Sequence, residues 1–376
     1  MPSSYRILRV FGISVELHIT FIIFLFIFFL WGWQEDGFMG GVALVSFFAL
    51  IFMIVLIHEL THSIAALLNG IKVPRIILTP IGGLAHIEIP EKPVLELVIS
   101  IVGPLSNFLM AGVFMVLFML VIPDPVGKLL EYKEVINNGS FSIKEMVFSL
   151  PGVILLLVEY NLILGIFNFI PAFPMDGGRV LRAILALFID YTKATKIAVN
   201  IGQFISVVMA IAGILLPHIW LTVIGIIIFF AGGQELKIVR IRHALGGLRA
   251  GDVAAREIEC MDNSITVGDF LERIAKPSQR HYPVCDVGGK IVGILDISRL
   301  GDMEPRDFNR VLVGDISDRQ LEHIDSKALL RDMLMKLLEK DFILVVESSH
   351  VIGYLTPNML LDAARFQSMK KLRDVH

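Results

Sequence analysis

Hydrophobic positions divide the chain into a strongly apolar part and a part of ordinary polarity, with the change near Gly233. Apolar runs long enough to cross a bilayer lie at about 14–33, 41–69, 94–122, 149–170, 196–216 and 217–233. Only Pro217 and His218 separate the last two runs. The pattern predicts a polytopic α-helical membrane domain with six transmembrane helices over residues 1–245, followed by a water-soluble remainder.

Composition agrees with this division. The 376 residues are 55% hydrophobic, which is too apolar for an ordinary soluble protein, and the net charge of -3 gives no indication of a nucleic-acid partner. The two cysteines, Cys260 and Cys285, lie in the polar part. They suggest no disulfide framework, and the simple interpretation is a reducing compartment.

Lysine and arginine positions predict the orientation in the membrane. Basic residues occur before the first run, in the loop at 70–93, and after the fourth and sixth runs, whereas the first connection carries Glu35 and Asp36. The loop at 123–148 mixes both signs. By the positive-inside rule we expect a multi-pass protein of the cell membrane, with both termini and the soluble part in the cytosol.

The second apolar run contains the sequence His58-Glu59-Leu60-Thr61-His62. On a helix, HExxH places two imidazoles one turn apart on one face, as two zinc ligands require, and the glutamate can accept a proton from water at the metal. The alternative is a helix whose histidines satisfy neighbouring polar groups. Three ionisable groups on one intramembrane turn are expensive to bury without a function, which favours the metal site.

A third ligand is expected from Asp176, which follows Pro174 and precedes Gly177-Gly178 at the end of the fourth run. Irregular backbone at membrane depth is tolerated only inside protein or beside a water-filled cavity. The second and fourth runs cross in the same direction, so Asp176 and His62 reach the same side. The alternative is a plain turn into an amphipathic helix.

Taken together, these motifs resemble the site-2 protease family of intramembrane zinc metalloproteases. The resemblance covers about residues 1–233 and rests on three strings in order: His58–His62, Gly103–Asn107 (GPLSN) and 168–178 (NFIPAFPMDGG). It implies that His58, His62 and Asp176 bind one Zn²⁺ per chain and that Glu59 activates water. The soluble part lacks a PDZ-like pattern, so the subgroup with PDZ domains is not indicated.

Two asparagines match polar positions of the family, Asn107 in the third run and Asn168 in the fourth. Amide side chains can stabilise the oxyanion of a tetrahedral intermediate or hold the substrate backbone. Polar contacts between spans are an equally open interpretation.

The loop after the second run predicts a β-hairpin. Two β-favouring runs, Arg75–Thr79 and 84–89, flank the turn Pro80–Gly83. An exposed strand edge beside the site could pair with extended substrate, while a structural plug is the alternative.

The polar part repeats itself weakly. The matching strings are Gly251-Asp252-Val253 with Gly314-Asp315-Ile316, and Asp269-Phe270-Leu271 with Asp332-Met333-Leu334. Each repeat predicts helix, strand, strand, helix. The pattern resembles an α/β tandem CBS domain pair over 246–366, with repeats at about 248–302 and 312–366 and a tail at 367–376.

That resemblance implies adenine nucleotides bound between the repeats and regulation of the attached enzyme, and a homodimer through the CBS pair is a further possibility. The ribose-binding Thr or Ser position is Asp296 in the first repeat and Thr356 in the second. The Asp expected three residues later is Arg299 or Met359. Thr356 is therefore the best nucleotide-binding candidate, and a purely structural or dimerising pair remains open.

The function predicted from these features is hydrolysis of peptide bonds within or next to transmembrane segments of substrate proteins, in regulated intramembrane proteolysis. The alternative is a CBS-regulated divalent-metal transporter. Transporters often show repeated halves, and this chain has one compact cluster. A catalytically dead scaffold is disfavoured by the presence of Glu59.

Overall fold

A computed structural model describes residues 4–80, 82–85, 91–137, 142–256, 260–276, 279–319, 321–340, 342–348 and 350–373. The chain forms two compact units, Met1–Leu236 and Lys237–His376. The division falls inside a helix, Ile219–Leu245, at whose end the sequence predicts the boundary between domains.

The first unit is mainly helical. Its helices are α1 (Ile19–Leu68), α2 (Pro93–Val121), α3 (Pro125–Asn137), α4 (Ile143–Phe148), α5 (Leu150–Phe169), α6 (Asp176–Ala186), α7 (Tyr191–Leu215) and α8 (Ile219–Leu245). Within the described residues, five of them (α1, α2, α5, α7 and α8) are long and apolar enough to cross a membrane. Six such helices were predicted, and the difference lies in α1, which contains both of the first two apolar runs.

Helix α1 consists of two helical arms that meet at a break. At this break, Asp36 and Gly37 have non-helical backbone angles. Gly37 has a φ of 67°, a conformation that glycine adopts without the cost other residues incur. The two arms pack closely beside this break: a Cβ on Gly32 would lie 2.4 Å from the carbonyl oxygen of Gly40. Phenylalanine pairs continue the contact along both arms as far as Phe21 and Phe52. The arms therefore run antiparallel to each other.

A four-stranded sheet lies at one end of α1. Its strands are β1 (Ser4–Val10), β2 (Ile13–His18), β3 (Arg75–Thr79) and β4 (Gly82–Ala85), in that order across the sheet. Strands β2 and β3 are parallel, and the two hairpin pairs are antiparallel. Apolar residues of β2 and β3 pack against Ala66 of α1 and Ile99 of α2.

The predicted hairpin is present, with its first strand at the predicted residues. Its second strand begins at Gly82, earlier than the predicted 84, because the turn is shorter than expected. The rest of the predicted strand, 86–89, lies outside the described residues.

The second unit contains two repeats of similar topology. The first comprises α9 (Ala250–Val253), β5 (Met261–Asp262), α10 (Val267–Arg273), β6 (His281–Cys285) and β7 (Ile291–Asp296). The second comprises α11 (Val313–Ile316), β8 (His323–Asp325), α12 (Leu330–Glu339), β9 (Ile343–Glu347), β10 (His350–Leu355) and α13 (Pro357–Arg373). In each three-stranded sheet a parallel pair is followed by an antiparallel pair.

Two details differ from the predicted repeat. The first repeat ends in a 3₁₀ helix, Ile297–Asp302, where an α-helix was expected. Helix α13 continues to Arg373, so the predicted tail at 367–376 is helical over all of its described residues.

The expectation drawn from the cysteines was wrong. Cys260 and Cys285 form a disulfide, with their Cα atoms 5.8 Å apart. Parallel pairing of β5 with β6 places Met261 beside Val284 and so brings the two cysteines together. Sequence spacing alone does not show this pairing, and the argument for a reducing compartment loses its basis.

Candidate metal centre

Three predicted ligands converge in the first unit. The Nε2 atoms of His58 and His62 lie 3.1 and 3.0 Å from Oδ2 of Asp176, and 3.1 Å from each other. Both imidazoles are buried, and Asp176 is partly exposed. Two ligands come from one turn of α1 and the third from the first residue of α6, so residues far apart in sequence form a compact group that could hold a metal ion.

The tautomer of His62 follows from its partner. Its Nδ1 lies 2.6 Å from the backbone carbonyl oxygen of Ile99 in α2. A carbonyl oxygen can only accept, so Nδ1 carries the proton and donates it. The Nε2 atom of His62 therefore presents a lone pair toward Asp176.

A chain of amide hydrogen bonds determines the tautomer of His58. Asn161 of α5 donates from Nδ2 to the carbonyl oxygen of Leu157 (2.7 Å), and its Oδ1 accepts from Nδ2 of Asn107 (3.0 Å). The Oδ1 of Asn107 then accepts from Nδ1 of His58 at 2.5 Å. Because the chain ends on a carbonyl, each donor in it is assigned, and His58 also presents an Nε2 lone pair.

The side chains of His58, His62 and Asp176 fit a divalent cation such as zinc. Two imidazole lone pairs and a carboxylate oxygen face one another without a proton donor among them, an arrangement that a positive ion stabilises. Ligand atoms 2.0–2.1 Å from a tetrahedral zinc ion lie about 3.3 Å apart, close to the observed separations. His₂–carboxylate is also a ligand set of catalytic zinc, which keeps a fourth position open.

Gly103, the first residue of the GPLSN string, makes room for both histidines. A Cβ at this position would lie 2.2 Å from Nε2 of His62 and 2.8 Å from Cε1 of His58. Real Cβ contacts are never so short, so the rings pack directly on the backbone of α2. The string thus supplies space at Gly103 and an acceptor at Asn107.

The glycines after Asp176 have a similar role. A Cβ on Gly177 would lie 2.3 Å from the carbonyl oxygen of Ile170, and one on Gly178 would lie 2.7 Å from the carbonyl carbon of Ala172. Both glycines let the connection between α5 and α6 pack against the start of α6. That packing determines where Asp176 lies.

Glu59 is half-buried beside the hairpin. A Cβ built on Gly83 of β4 would lie 2.5 Å from Cγ of Glu59, so the strand backbone contacts this side chain directly. Strand β4 is at the edge of its sheet. The predicted hairpin therefore lies next to the residue that the sequence assigns to proton transfer.

The two predicted asparagines differ in their surroundings. Both ends of the Asn107 amide are engaged, by His58 and by Asn161, which favours a role in orienting His58. Asn168 is half-buried and donates to the carbonyl oxygen of Leu164 in its own helix. Asn161 is not among the residues predicted from the sequence, although a polar residue inside the apolar run at 149–170 is a detectable sign of a buried partner.

Asp296, which the sequence resemblance places at the ribose position of the first repeat, takes part in an ion pair. Asp296 accepts two hydrogen bonds from Arg280, at 3.1 and 3.0 Å, and one from the backbone N–H of Ser298. Burial alone would raise the pKa of Asp296, but these donors lower it to about 2. Thr356 of the second repeat is half-buried immediately before α13.

Comparison with known proteins yields two family matches. The model of peptidase family M50 matches residues 46–212, and the CBS domain model matches residues 250–300. A curated zinc metalloprotease of Methanocaldococcus jannaschii is 31% identical over 376 residues, which cover 99% of each chain. The part of the chain that matches peptidase family M50 contains His58, His62 and Asp176.

Two of the solved structures that are similar to this chain are a protease and a CBS domain. A site-2 protease from Methanocaldococcus jannaschii is 35% identical, with 62% of this chain and 95% of that chain covered and a TM-score of 0.44. The CBS domain of a bacterial CNNM/CorC family Mg²⁺ transporter, in complex with ATP, is 17% identical, with 35% and 97% covered and a TM-score of 0.31.

Proposed function

The chain belongs to peptidase family M50, the site-2 proteases, and from this premise we propose that it hydrolyses peptide bonds within or next to transmembrane segments of substrate proteins. As a member of that family it is a metalloendopeptidase with an attached CBS domain. The observation that carries the proposal is the convergence of three acceptor atoms beside Glu59.

His58, His62 and Asp176 would hold one zinc ion. When bound there, zinc lowers the pKa of water and polarises the carbonyl of the scissile bond. Glu59 takes the proton from the attacking water and later delivers it to the leaving amine. Asn107 keeps the His58 ring in the orientation that presents Nε2, and Asn168 is our candidate for contact with the oxyanion or the substrate backbone.

Edge strand β4 offers a means of holding the substrate. A helical peptide bond is shielded by its own hydrogen bonds, so a segment must be extended before it can be cut. An extended segment that pairs with β4 would acquire main-chain hydrogen bonds and pass beside Glu59, because Gly83 contacts that side chain.

The proposed topology has six spans. The two arms of α1 count as separate spans, since Asp36 and Gly37 interrupt the helix and the arms run antiparallel. Together with α2, α5, α7 and α8, the two arms make six spans. An even number of spans returns the chain to the side on which it began, which agrees with both termini and the CBS domains in the cytosol.

The CBS pair is proposed as a regulatory module that binds an adenine nucleotide through Thr356 and mediates homodimer formation. Asp296 already pairs with Arg280, which favours the second repeat over the first as the ribose site. If saturating ATP, ADP and AMP all leave the thermal stability of the protein unchanged, the nucleotide proposal is wrong. If one of these nucleotides does raise the thermal stability of the wild type, Thr356→Ala is the variant to compare with it, and the substitution should reduce that effect.

The decisive experiment compares the wild type with Glu59→Gln on a single-span test substrate in proteoliposomes. We expect cleavage by the wild type only, with equal zinc content in both proteins, because glutamine leaves the three ligands intact and cannot accept the proton. Equal cleavage by both would refute the role of Glu59. If neither protein cleaves and zinc instead crosses the membrane, the transporter alternative is correct.

A further inference from the structure

A cluster of polar and charged residues, centred on the buried Arg182 and Glu96, joins four helices of the first unit. Arg182 of α6 donates from Nε and Nη2 to Oε1 of Glu96 in α2, at 2.9 and 2.5 Å, and from Nη1 to Oε1 of Glu235 in α8, at 2.5 Å. Tyr191 of α7 donates to the other oxygen of Glu96 at 3.0 Å. We call these four residues the arginine cluster.

Burial makes the arginine cluster costly. Glu96 is 2% exposed and Arg182 5% exposed, so both charges have lost most of their water. The attraction between buried partners often only offsets that loss, and an apolar replacement is frequently as stable. Stability alone therefore gives a weak reason for the cluster, and the proposed mechanism does not use it.

Helix α2 connects the cluster to His62. Glu96 and Ile99 lie within one turn of α2, and the carbonyl oxygen of Ile99 accepts the proton of Nδ1 of His62. A movement of this turn relative to α6 would change both the Arg182 contacts and the support of the His62 ring.

Helix α6 connects the cluster to Asp176, its first residue. The guanidinium of Arg182 also lies over the ring of Phe173, 4.8 Å from its centre, in the connection that leads into Asp176. Arg182 thus holds α6 to α2 and α8 and contacts the chain just before the ligand.

We propose that Arg182 is a positioning residue for the metal centre, with Glu96 and Glu235 as its anchors. It fixes Asp176 on α6 relative to the histidine ligands that α2 supports. The positioning role rests on the proposed function only where it is tested by kinetics. Zinc retention can be measured without any enzymatic activity.

The geometry requires arginine in particular. Its planar fork bonds to Glu96 and Glu235 at once and lies over the Phe173 ring, whereas the single ammonium of lysine cannot reproduce this arrangement. Arg182→Lys keeps the charge and loses the fork. Glu235→Gln keeps the pair between Arg182 and Glu96 and weakens the anchor on α8.

The experiment measures zinc retention of the full-length protein against a competing chelator, together with kcat, KM and thermal stability. Lys193→Met, which removes an exposed cation from α7, is the control. We expect Arg182→Lys to retain zinc about tenfold less tightly, the lower limit for residues that orient metal ligands, and to lose kcat at nearly constant KM. Glu235→Gln should change the same quantities by a smaller factor.

Wild-type zinc retention in both variants, with only thermal stability reduced, would overturn the proposal and leave a purely structural cluster. If Arg182→Lys does not fold, Glu235→Gln decides, and zinc retention equal to that of the control overturns the proposal. If the wild type cleaves no substrate, the proposed function fails, and zinc retention alone still tests the positioning role.

Discussion

Gly83 of β4 lies directly against the side chain of Glu59. A Cβ built on Gly83 would stand 2.5 Å from Cγ and 3.2 Å from Cδ of Glu59. The closest contact falls on Cγ, near the middle of the side chain, so a rotation of the carboxylate alone would not relieve it. The hairpin is therefore part of the surface that determines where the proposed general base points.

Gly83→Ala should reduce kcat by about tenfold to a hundredfold, because displacing a catalytic group by about 1 Å can cost that much. Zinc content should stay at the wild-type level, since the three atoms nearest to the new methyl group all belong to Glu59. Substrate cleavage and zinc analysis of the same sample check both statements. Gly112→Ala is the control, since nothing lies within 4 Å of a Cβ there; unchanged kcat in Gly83→Ala would contradict the contact.

Gly103→Ala should abolish metal binding as well as activity. The new methyl group would overlap Nε2 of His62 and crowd Cε1 of His58, so both rings must move. Gly112→Ala lies in the same helix and should keep its zinc, with equal or slightly higher thermal stability because alanine favours helix. A zinc-loaded Gly103→Ala protein would show that the rings do not pack as described.

Asn161→Ala should weaken zinc retention by about tenfold, within the range known for residues behind a metal ligand. The change removes the acceptor that orients Asn107, and His58 then loses a fixed partner for Nδ1. Competition with a chelator measures the effect. Asn200→Ala, on an exposed site of α7, serves as the control; equal retention in the two variants would show that the amide chain does not hold His58.

The Arg280–Asp296 pair predicts a pH dependence in the first repeat. The pKa of Asp296 is about 2 in the folded protein, against an ordinary value of 3.8, so its stabilising effect is complete above about pH 4 and is lost as the pH falls through 2. Because the pair is partly exposed, we expect about 1 kcal/mol rather than the full shift. Asp296→Asn should lower the free energy of opening of β7 by that amount at pH 7.

Hydrogen exchange of β7 peptides in the full-length protein, corrected for the intrinsic rate at each pH, measures this effect. Wild type and Asp296→Asn should converge toward pH 2. A constant difference over the whole range would exclude the ion pair as its cause.

Local patterns in the sequence predicted the three side chains that converge at the candidate metal centre. HExxH encodes the distance between His58 and His62 by helix periodicity alone, and the glycines after Asp176 mark a break in the fourth run. The hairpin strand Arg75–Thr79 followed from β propensity and a turn. These features depend on neighbours in sequence, so they were visible without the fold.

Contacts between distant segments were not predictable in the same way. The bonds from Asn161 to Asn107 and from Arg182 to Glu96 and Glu235 depend on which faces of separate helices meet. The disulfide likewise depends on strand pairing. An isolated polar residue in an apolar run signals that a partner exists, but its identity is settled only by packing.

The separation of the ligands along the chain has a consequence for biogenesis. His58 and His62 are synthesised early, while Asp176 emerges only after α2 and α5, which also supply Asn107 and Asn161. A nascent chain that has inserted α1 alone has the two histidines and an unfixed His58 ring, and it lacks the carboxylate of Asp176. The proposed metal site is therefore complete only after the bundle has assembled. A protein that cuts other membrane segments would remain inactive while its own segments are still entering the bilayer.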